Sequence, residues 1–300
     1  MKHNQAIMWA LGTAIISGVS VFVNKFGVGQ VNDPFVYTTL KNSLVAIGLV
    51  AAVGLLGSLN ELRTFSRRQW LGWVALGLIG GGIPFLLFFQ GLATASAPSA
   101  ALIHKTLFIW VALLAAPFLG ERLGGWQIAG LGVIALGQFL LQIPARWGWG
   151  SGEMLILLAT LMWSVETIVA KRVLADVSAR TAAFGRMGIG ALTMWAFLAL
   201  TGRAGNALAL DGTQWFWIAL TSIFLFGYVW TWYTALKAAP ASLVTTVLTL
   251  AAIITIALTA LLEGTPTSIP QLGGMLIMAL GALVFLLPPL QKQQRAVEAS

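Results

Sequence analysis

The chain has 300 residues, 58% hydrophobic and 9% charged, with no cysteine and a formal charge of +8. Mean hydropathy is +0.89. A soluble domain carries about 25% charged residues, so this composition excludes a soluble enzyme, a disulfide scaffold and a disordered chain. The net positive charge has no soluble basic face behind it, so no nucleic-acid partner is expected.

Apolar runs of about twenty residues fit a hydrocarbon core of ~30 Å. Breakers divide them into ten spans: 5–28, 34–57, 69–92, 98–119, 124–144, 151–173, 179–201, 214–236, 241–262 and 269–289. In the first span, Lys2 and His3 precede a run too long for a signal peptide. Val23, Asn24, Lys25 and Phe26 then stand where a small-residue cleavage site belongs, so the span is expected to stay. Asp33-Pro34 ends the first loop, and Glu61, Arg63, Arg67 and Arg68 mark the second. In the third span, Pro84 removes a helix hydrogen bond near Gly80, and Gly80, Gly81 and Gly82 loosen the same turn, which predicts a bend. Runs this apolar on all sides do not suit a β-barrel, so an all-α membrane protein follows.

With both termini on the cytoplasmic side, eleven basic residues face the cytoplasm: Lys2, Arg63, Arg67, Arg68, Arg122, Lys171, Arg172, Arg180, Lys237, Lys292 and Arg295. Three (Lys25, Arg146, Arg203) face outward, and Lys41, Lys105 and Arg186 lie within spans. The excess predicts cytoplasmic termini. Trp9, Trp70, Trp73, Trp126, Trp147, Trp149, Trp215 and Trp217 fall near span ends, as an aromatic belt does.

The chain repeats itself. Ala97-Pro98 precedes a run ending in Glu121, and Ala239-Pro240 precedes one ending in Glu263; both separations are 23 residues (121−98, 263−240). Gly130 and Gly137 match Gly274 and Gly281, and Val23-Asn24-Lys25 aligns with Val169-Ala170-Lys171. The halves are 1–147 and 148–300, five spans each. An odd count forces the second half to enter the membrane inverted. Two inverted five-helix repeats around a central cavity are the architecture of a transporter with two gates. Neither HExxH nor GxSxG occurs, and signals for a metal or nucleotide are absent, so no enzyme, metal or cofactor is expected.

Leu119-Gly120-Glu121-Arg122-Leu123, with Gln127, Gly130 and Gly137, and the second copy in Leu262-Glu263, Gln271, Gly274 and Gly281, resemble the drug/metabolite transporter superfamily, specifically its EamA-type ten-helix members. The resemblance covers nearly the whole chain. It implies a permease or exporter of small molecules in the bacterial inner membrane, with bacterial aromatic-amino-acid exporters as one branch. The family often carries a proline thirteen residues before each motif glutamate. Here Phe108 and Leu250 stand there, so a kink in the fourth and ninth spans is expected to be missing or shifted.

Ionisable groups at bilayer depth are costly and mark function. Lys41 and Arg186, at matching depths in the second and seventh spans, suggest gates at opposite mouths or a snorkelling and structural role. His104 and Lys105 in the fourth span, and Glu166 in the sixth, lie deeper. The resemblance puts these two spans beside the central cavity. Glu166 and Lys105 would hold the two ends of a zwitterion; a structural pair of Glu166 with Lys105 or Arg186 is the alternative. Glu166 shares a face with Trp163, Thr167 and Ala170. Phe85 and Phe89 in the third span, Phe108 in the fourth, Tyr228 and Trp232 in the eighth and Trp163 complete a candidate substrate site with His104. Tyr228 and Trp232 share one face of the eighth span; Trp230, Tyr233 and Lys237 share another. The glycines of the fifth and tenth spans permit close helix contact, in a monomer or a weak homodimer. Together these residues point to an exporter of amino acids or related metabolites, with the lipid bilayer and a small-molecule substrate as partners. An exporter of lipophilic cationic drugs is the alternative.

Overall fold

The computed structural model describes residues 3–56, 59–143 and 149–298. Lys2, Arg146, Trp147 and the boundary between residues 147 and 148 lie outside the described residues. Fourteen α-helices run along the described chain: α1 His3–Val28, α2 Pro34–Leu55, α3 Leu59–Arg63, α4 Arg67–Leu76, α5 Ile83–Leu92, α6 Ala97–Lys105, α7 Leu107–Leu119, α8 Gly125–Leu141, α9 Ser151–Asp176, α10 Ala179–Leu200, α11 Gly212–Ala238, α12 Ala241–Leu248, α13 Ala251–Glu263 and α14 Ile269–Glu298. No strand occurs among them. Among the described residues nine stretches are long and apolar enough to cross a membrane, and α8 is a shorter apolar helix of 17 residues, about 25 Å long.

Loop chemistry sets the helix starts. Asp33 accepts from the Phe35 amide at 2.9 Å, and Pro34 occupies the first turn of α2, where its missing N–H does no harm. Ser66 with Gln69, and Asp211 with Gln214, form capping boxes at α4 and α11.

Three spans are interrupted inside the membrane. Residues Gly77–Gly82 form a π-helical segment between α4 and α5, where Pro84 and the glycines predict a bend. The breaks at Thr106, between α6 and α7, and at Thr249–Leu250, between α12 and α13, show that the fourth and ninth spans are interrupted; of the two outcomes expected, a missing or a shifted kink, the missing one is corrected. They need no proline. Thr106 donates its hydroxyl to the Ile103 carbonyl at 2.7 Å, and Thr249 donates to the Thr246 carbonyl at 2.6 Å. Their amides also turn back three residues, to the same two carbonyls, at 3.1 Å each. A threonine tightening its own turn thus ends one helix and starts the next.

The packing has a two-fold pattern that exchanges one repeat for the other. α1 packs on α11, α12 and α13; α9 packs correspondingly on α4 and α5, on α6 and on α7. α2 lies on α10, and α8 lies along α14. Glycines make the α8–α14 seam. A Cβ on Gly137 would meet the Gly274 carbonyl at 2.8 Å, and one on Gly274 would meet the Gly137 carbonyl at 2.8 Å. The π-helical segment meets α10 as closely: a Cβ on Gly81 would strike the Arg186 carbonyl, and one on Gly190 would strike the backbone of Gly81. These seams lie within one chain.

Outside the spans, Glu61 ties the second loop to α10. It accepts from the Ser178 amide and the Thr181 hydroxyl, each at 2.6 Å. Burial works to raise its pKa, but those hydrogen bonds and the Lys237 charge hold it below the ordinary carboxylate value.

Two predictions follow from these contacts. Gly81→Ala lowers the thermal midpoint of the detergent-solubilised protein, with a loss of about 1–3 kcal/mol from overpacking. Gly132→Ala, where nothing lies within 4 Å, leaves it unchanged or slightly raised. Glu61 is depressed when folded, so its contribution is present above the unfolded carboxylate value near ~4.3 and is lost as pH falls through the folded value. Glu61→Gln therefore lowers the midpoint at pH 7, by no more than about 1 kcal/mol after solvent screening. Thermal scans from pH 7 to pH 3 should show that difference closing.

Candidate central cavity

A cavity of ≈ 260 Å³ lies between the two repeats. The breaks at Thr106 and Thr249–Leu250 border it, and the π-helical segment leads into Phe85 of its wall. Pro84 has no N–H to give to the carbonyl of Gly80, four residues earlier. The Trp163 Nε1–H of α9 takes that carbonyl at 3.0 Å. Trp163 is thereby fixed as the centre of an aromatic wall. Phe85 lies 5.2 Å from it, Phe88 5.5 Å and His104 5.0 Å, centroid to centroid. Across the cavity Tyr228 and Trp232 stack at 6.1 Å. Phe89 and Phe108 also line the space.

The charges are placed unequally. Glu166 accepts from the Tyr233 hydroxyl at 2.5 Å and lies 3.8 Å from Arg186 Nε. All three are buried. The pair of Glu166 with Arg186, rather than with Lys105, is the one the structure forms. Glycine at position 80 is required here too, because a Cβ would collide with Glu166. Lys105 lines the same cavity and has no hydrogen-bond or ion-pair partner among the described residues. His104 Nδ1 and Arg186 Nε are buried without a hydrogen-bond partner. The cavity wall therefore carries two fixed cations, Lys105 and Arg186, and one carboxylate. No cluster of residues able to hold a metal occurs among the described residues.

The expected site residues separate into two groups. Trp163, Glu166, Lys105, His104, Phe108, Phe85, Phe89, Tyr228 and Trp232 all line the cavity, and Arg186 stands with them beside Glu166 rather than at a rim. Lys41 lies apart from the lining. It donates to Asn24 Oδ1 at 3.0 Å and sits over the Tyr37 ring at 5.1 Å. Of the second face of α11, Tyr233 turns to Glu166, and Lys237 reaches the Val177 carbonyl at 2.8 Å.

Residues absent from the sequence-based site include the hydroxyl groups Ser17, Ser20, Thr245 and Thr249, the ring of Phe88 and the aliphatic Val21. The repeat contains their signal. Lys171 and Lys25 are 146 apart (171−25), and that offset carries Ser17, Ser20 and Val21 onto Trp163, Glu166 and Thr167. An offset of 143 carries Phe85 and Phe89 onto Tyr228 and Trp232 (228−85, 232−89).

Residues 4–143 and, again, 150–287 match the EamA-like transporter family. The chain belongs to that family. An uncharacterized transporter encoded in the cobO 3′ region of Sinorhizobium sp. is 31% identical over 136 residues, which is 45% of this chain and 94% of that protein. The uncharacterized transporter YyaM of Bacillus subtilis (strain 168) is 24% identical over 294 residues, 94% of each chain. One solved crystal structure superposes with a TM-score of 0.78 at 20% identity, covering 95% of this chain and 98% of the other; it shares the fold. This EamA-like protein is a transporter and not an enzyme. It is an integral membrane protein, and its bacterial relatives put it in the inner membrane.

Removing one partner of a buried pair strands the other charge. Arg186→Gln is expected to destabilise the protein by about 3–5 kcal/mol. Adding Glu166→Gln in the same chain should restore a good part of that loss. A double-mutant cycle read by thermal unfolding measures the coupling, and additive losses would dissolve the pair.

Proposed function

We propose that this EamA-like transporter exports amino acids with apolar or aromatic side chains, or closely related small carboxylates, by alternating access. Lys105 carries the reading. It is a cation without a partner, at membrane depth, in a cavity walled by Phe85, Phe88, Trp163, Tyr228 and Trp232. Such a group calls for an anion. A cargo carboxylate at Lys105 and a side chain against the aromatic wall satisfy both surfaces. The ammonium has the hydroxyl oxygens of Ser20 and Thr245 within the same cavity.

The alternative cargo, a lipophilic cation, would need a free carboxylate. Glu166 is held by Arg186 and Tyr233, and the surplus positive charge of the wall repels a cation. The excess of basic residues at the ends where α7, α9 and α11 finish supports a cytoplasmic side there. Both termini then lie in the cytoplasm, and the monomer suffices, because the cavity is built by one chain.

Reconstituted vesicles test the cargo. Labelled Phe or Met should exchange across the membrane. Lys105→Gln should raise the half-saturating concentration about 10- to 100-fold, the loss of one charge-assisted hydrogen bond. Efflux of a lipophilic cation with no amino-acid flux would overturn the reading in favour of the drug exporter.

A further inference from the structure

The repeat makes Glu121 and Glu263 equivalent, and likewise Lys171 and Lys25. Equivalent residues at opposite faces of the membrane do different things. At the face where α7, α9 and α11 end, Glu121 accepts from the Ala241 amide at 2.6 Å, the Ser242 amide at 3.1 Å and the Ser242 hydroxyl at 2.5 Å. It thus caps α12, a helix of the other repeat. Beside it, Lys171 donates to the Leu236 carbonyl at 2.7 Å and the Ala239 carbonyl at 2.8 Å, the open end of α11. Glu121 also lies within electrostatic reach of Lys171. α12 packs on α7 and α11 on α9, so this face is sealed.

At the opposite face the corresponding contacts are not made. The matching pairs, α6 with α13 and α5 with α1, make at most marginal contact. The amides equivalent to those that Glu121 takes are turned inward on their own helix: Ser99 donates to the Ser96 hydroxyl at 3.2 Å, and Ala100 to the Ser96 carbonyl at 2.9 Å. Glu263 pairs instead with Lys25, and both are part-exposed. The helix ends around the Lys25 face are therefore not drawn together across the repeats as those of the other face are.

We propose that these four residues are the two latches of the transport cycle, and that they exchange partners. At a closed mouth the glutamate caps the facing helix start and the lysine takes the carbonyls of the facing helix end. At an open mouth the glutamate and lysine pair with each other. In the opposite state Glu263 takes the start of α6, Lys25 takes the end of α5, and Glu121 pairs with Lys171. The exchange leaves no charge without a partner in either state. It also favours closure: a capped helix start and a part-buried lysine bonded to the open carbonyls of a helix end are worth more than an exposed ion pair. This inference rests on the alternating-access part of the proposed function and on none of its statements about cargo.

The absence of native cysteine permits a clean test. Spin labels at Thr94→Cys and Thr265→Cys, both exposed, report the width of the Lys25 mouth by electron–electron resonance in vesicles without cargo. Two distance populations are expected. Glu121→Gln weakens the latch that holds the shown state and should move the population ratio about tenfold or more toward the short distance. Glu263→Gln weakens the latch of the other state and costs the shown state only an exposed ion pair, so it should move the ratio toward the long distance. Ser242→Ala removes one of the donors to Glu121 and gives a smaller shift in the direction of Glu121→Gln, so the result stands even if that variant folds poorly. Shifts in the same direction for Glu121→Gln and Glu263→Gln, or none, would overturn the latch. A single distance in every variant would overturn alternating access with it. Amino-acid flux enters neither outcome.

Discussion

A peptide group in hydrocarbon has no water to turn to, so a transmembrane backbone must satisfy itself or border a cavity. That constraint organises this transporter. Its helices are interrupted at the Gly77–Gly82 segment, at Thr106 and at Thr249–Leu250; the two threonine breaks lie beside the central cavity, and the π-helical segment leads into its wall. Each is also repaired by a side chain. Trp163 takes the carbonyl to which Pro84 cannot donate, and Thr106 and Thr249 close their own turns. The repair sets the chemistry: the hydrogen bond that satisfies Gly80 fixes the ring around which Phe85, Phe88 and His104 are arranged. Irregular backbone and binding wall are one construction.

The duplication supplies the frame and then diverges inside it. The seams that bear load, α8 on α14 and α2 on α10, are symmetric. The cavity is not. Where α9 offers Trp163, Glu166 and Thr167, the matching positions of α1 are Ser17, Ser20 and Val21. Arg186 faces the cavity, whereas Lys41, its counterpart in depth, is turned to Asn24. Symmetric gates can open a site alternately to two sides, but the cargo itself has no two-fold axis. Small hydroxyl groups on one side and a large ring with a charge on the other suit an asymmetric molecule.

Much of this was legible in the sequence. Span length and breakers gave ten spans. The equal spacing of Pro98 to Glu121 and Pro240 to Glu263 gave the repeat, and its odd span count gave the inversion. Pro84 after three glycines marked the irregular turn of the third span. The two threonine breaks were hidden, because a helix can be ended by a hydroxyl turning back three residues, and that leaves no proline to read. The partner of Glu166 was hidden as well. Arg186 and Lys105 were both near enough along the helices, and only the close crossing of Gly81 and Gly190 brings Arg186 alongside. Periodicity separated Tyr233 from Tyr228 and Trp232 on α11 without saying what either face meets; its hydroxyl reaches Glu166 because α9 packs there.

The unpaired Lys105 gives the proposed cargo a part in the conformational cycle as well as in recognition. With the mouth open, water in the cavity can solvate the ammonium. When the mouth closes over an empty cavity, that water is lost and an unpaired cation is left in a low-dielectric space, which is strongly unfavourable. A cargo carboxylate against Lys105 removes the penalty in the closed state and changes the open state little, since water already served there. A ligand shifts an equilibrium only by such a difference between states. The lysine that recognises the carboxylate would therefore also hold back the empty carrier, and the Glu121 and Glu263 latches would close readily only over a filled site. The paired Glu166 and Arg186 need no such help, because each neutralises the other whether or not the cavity is filled.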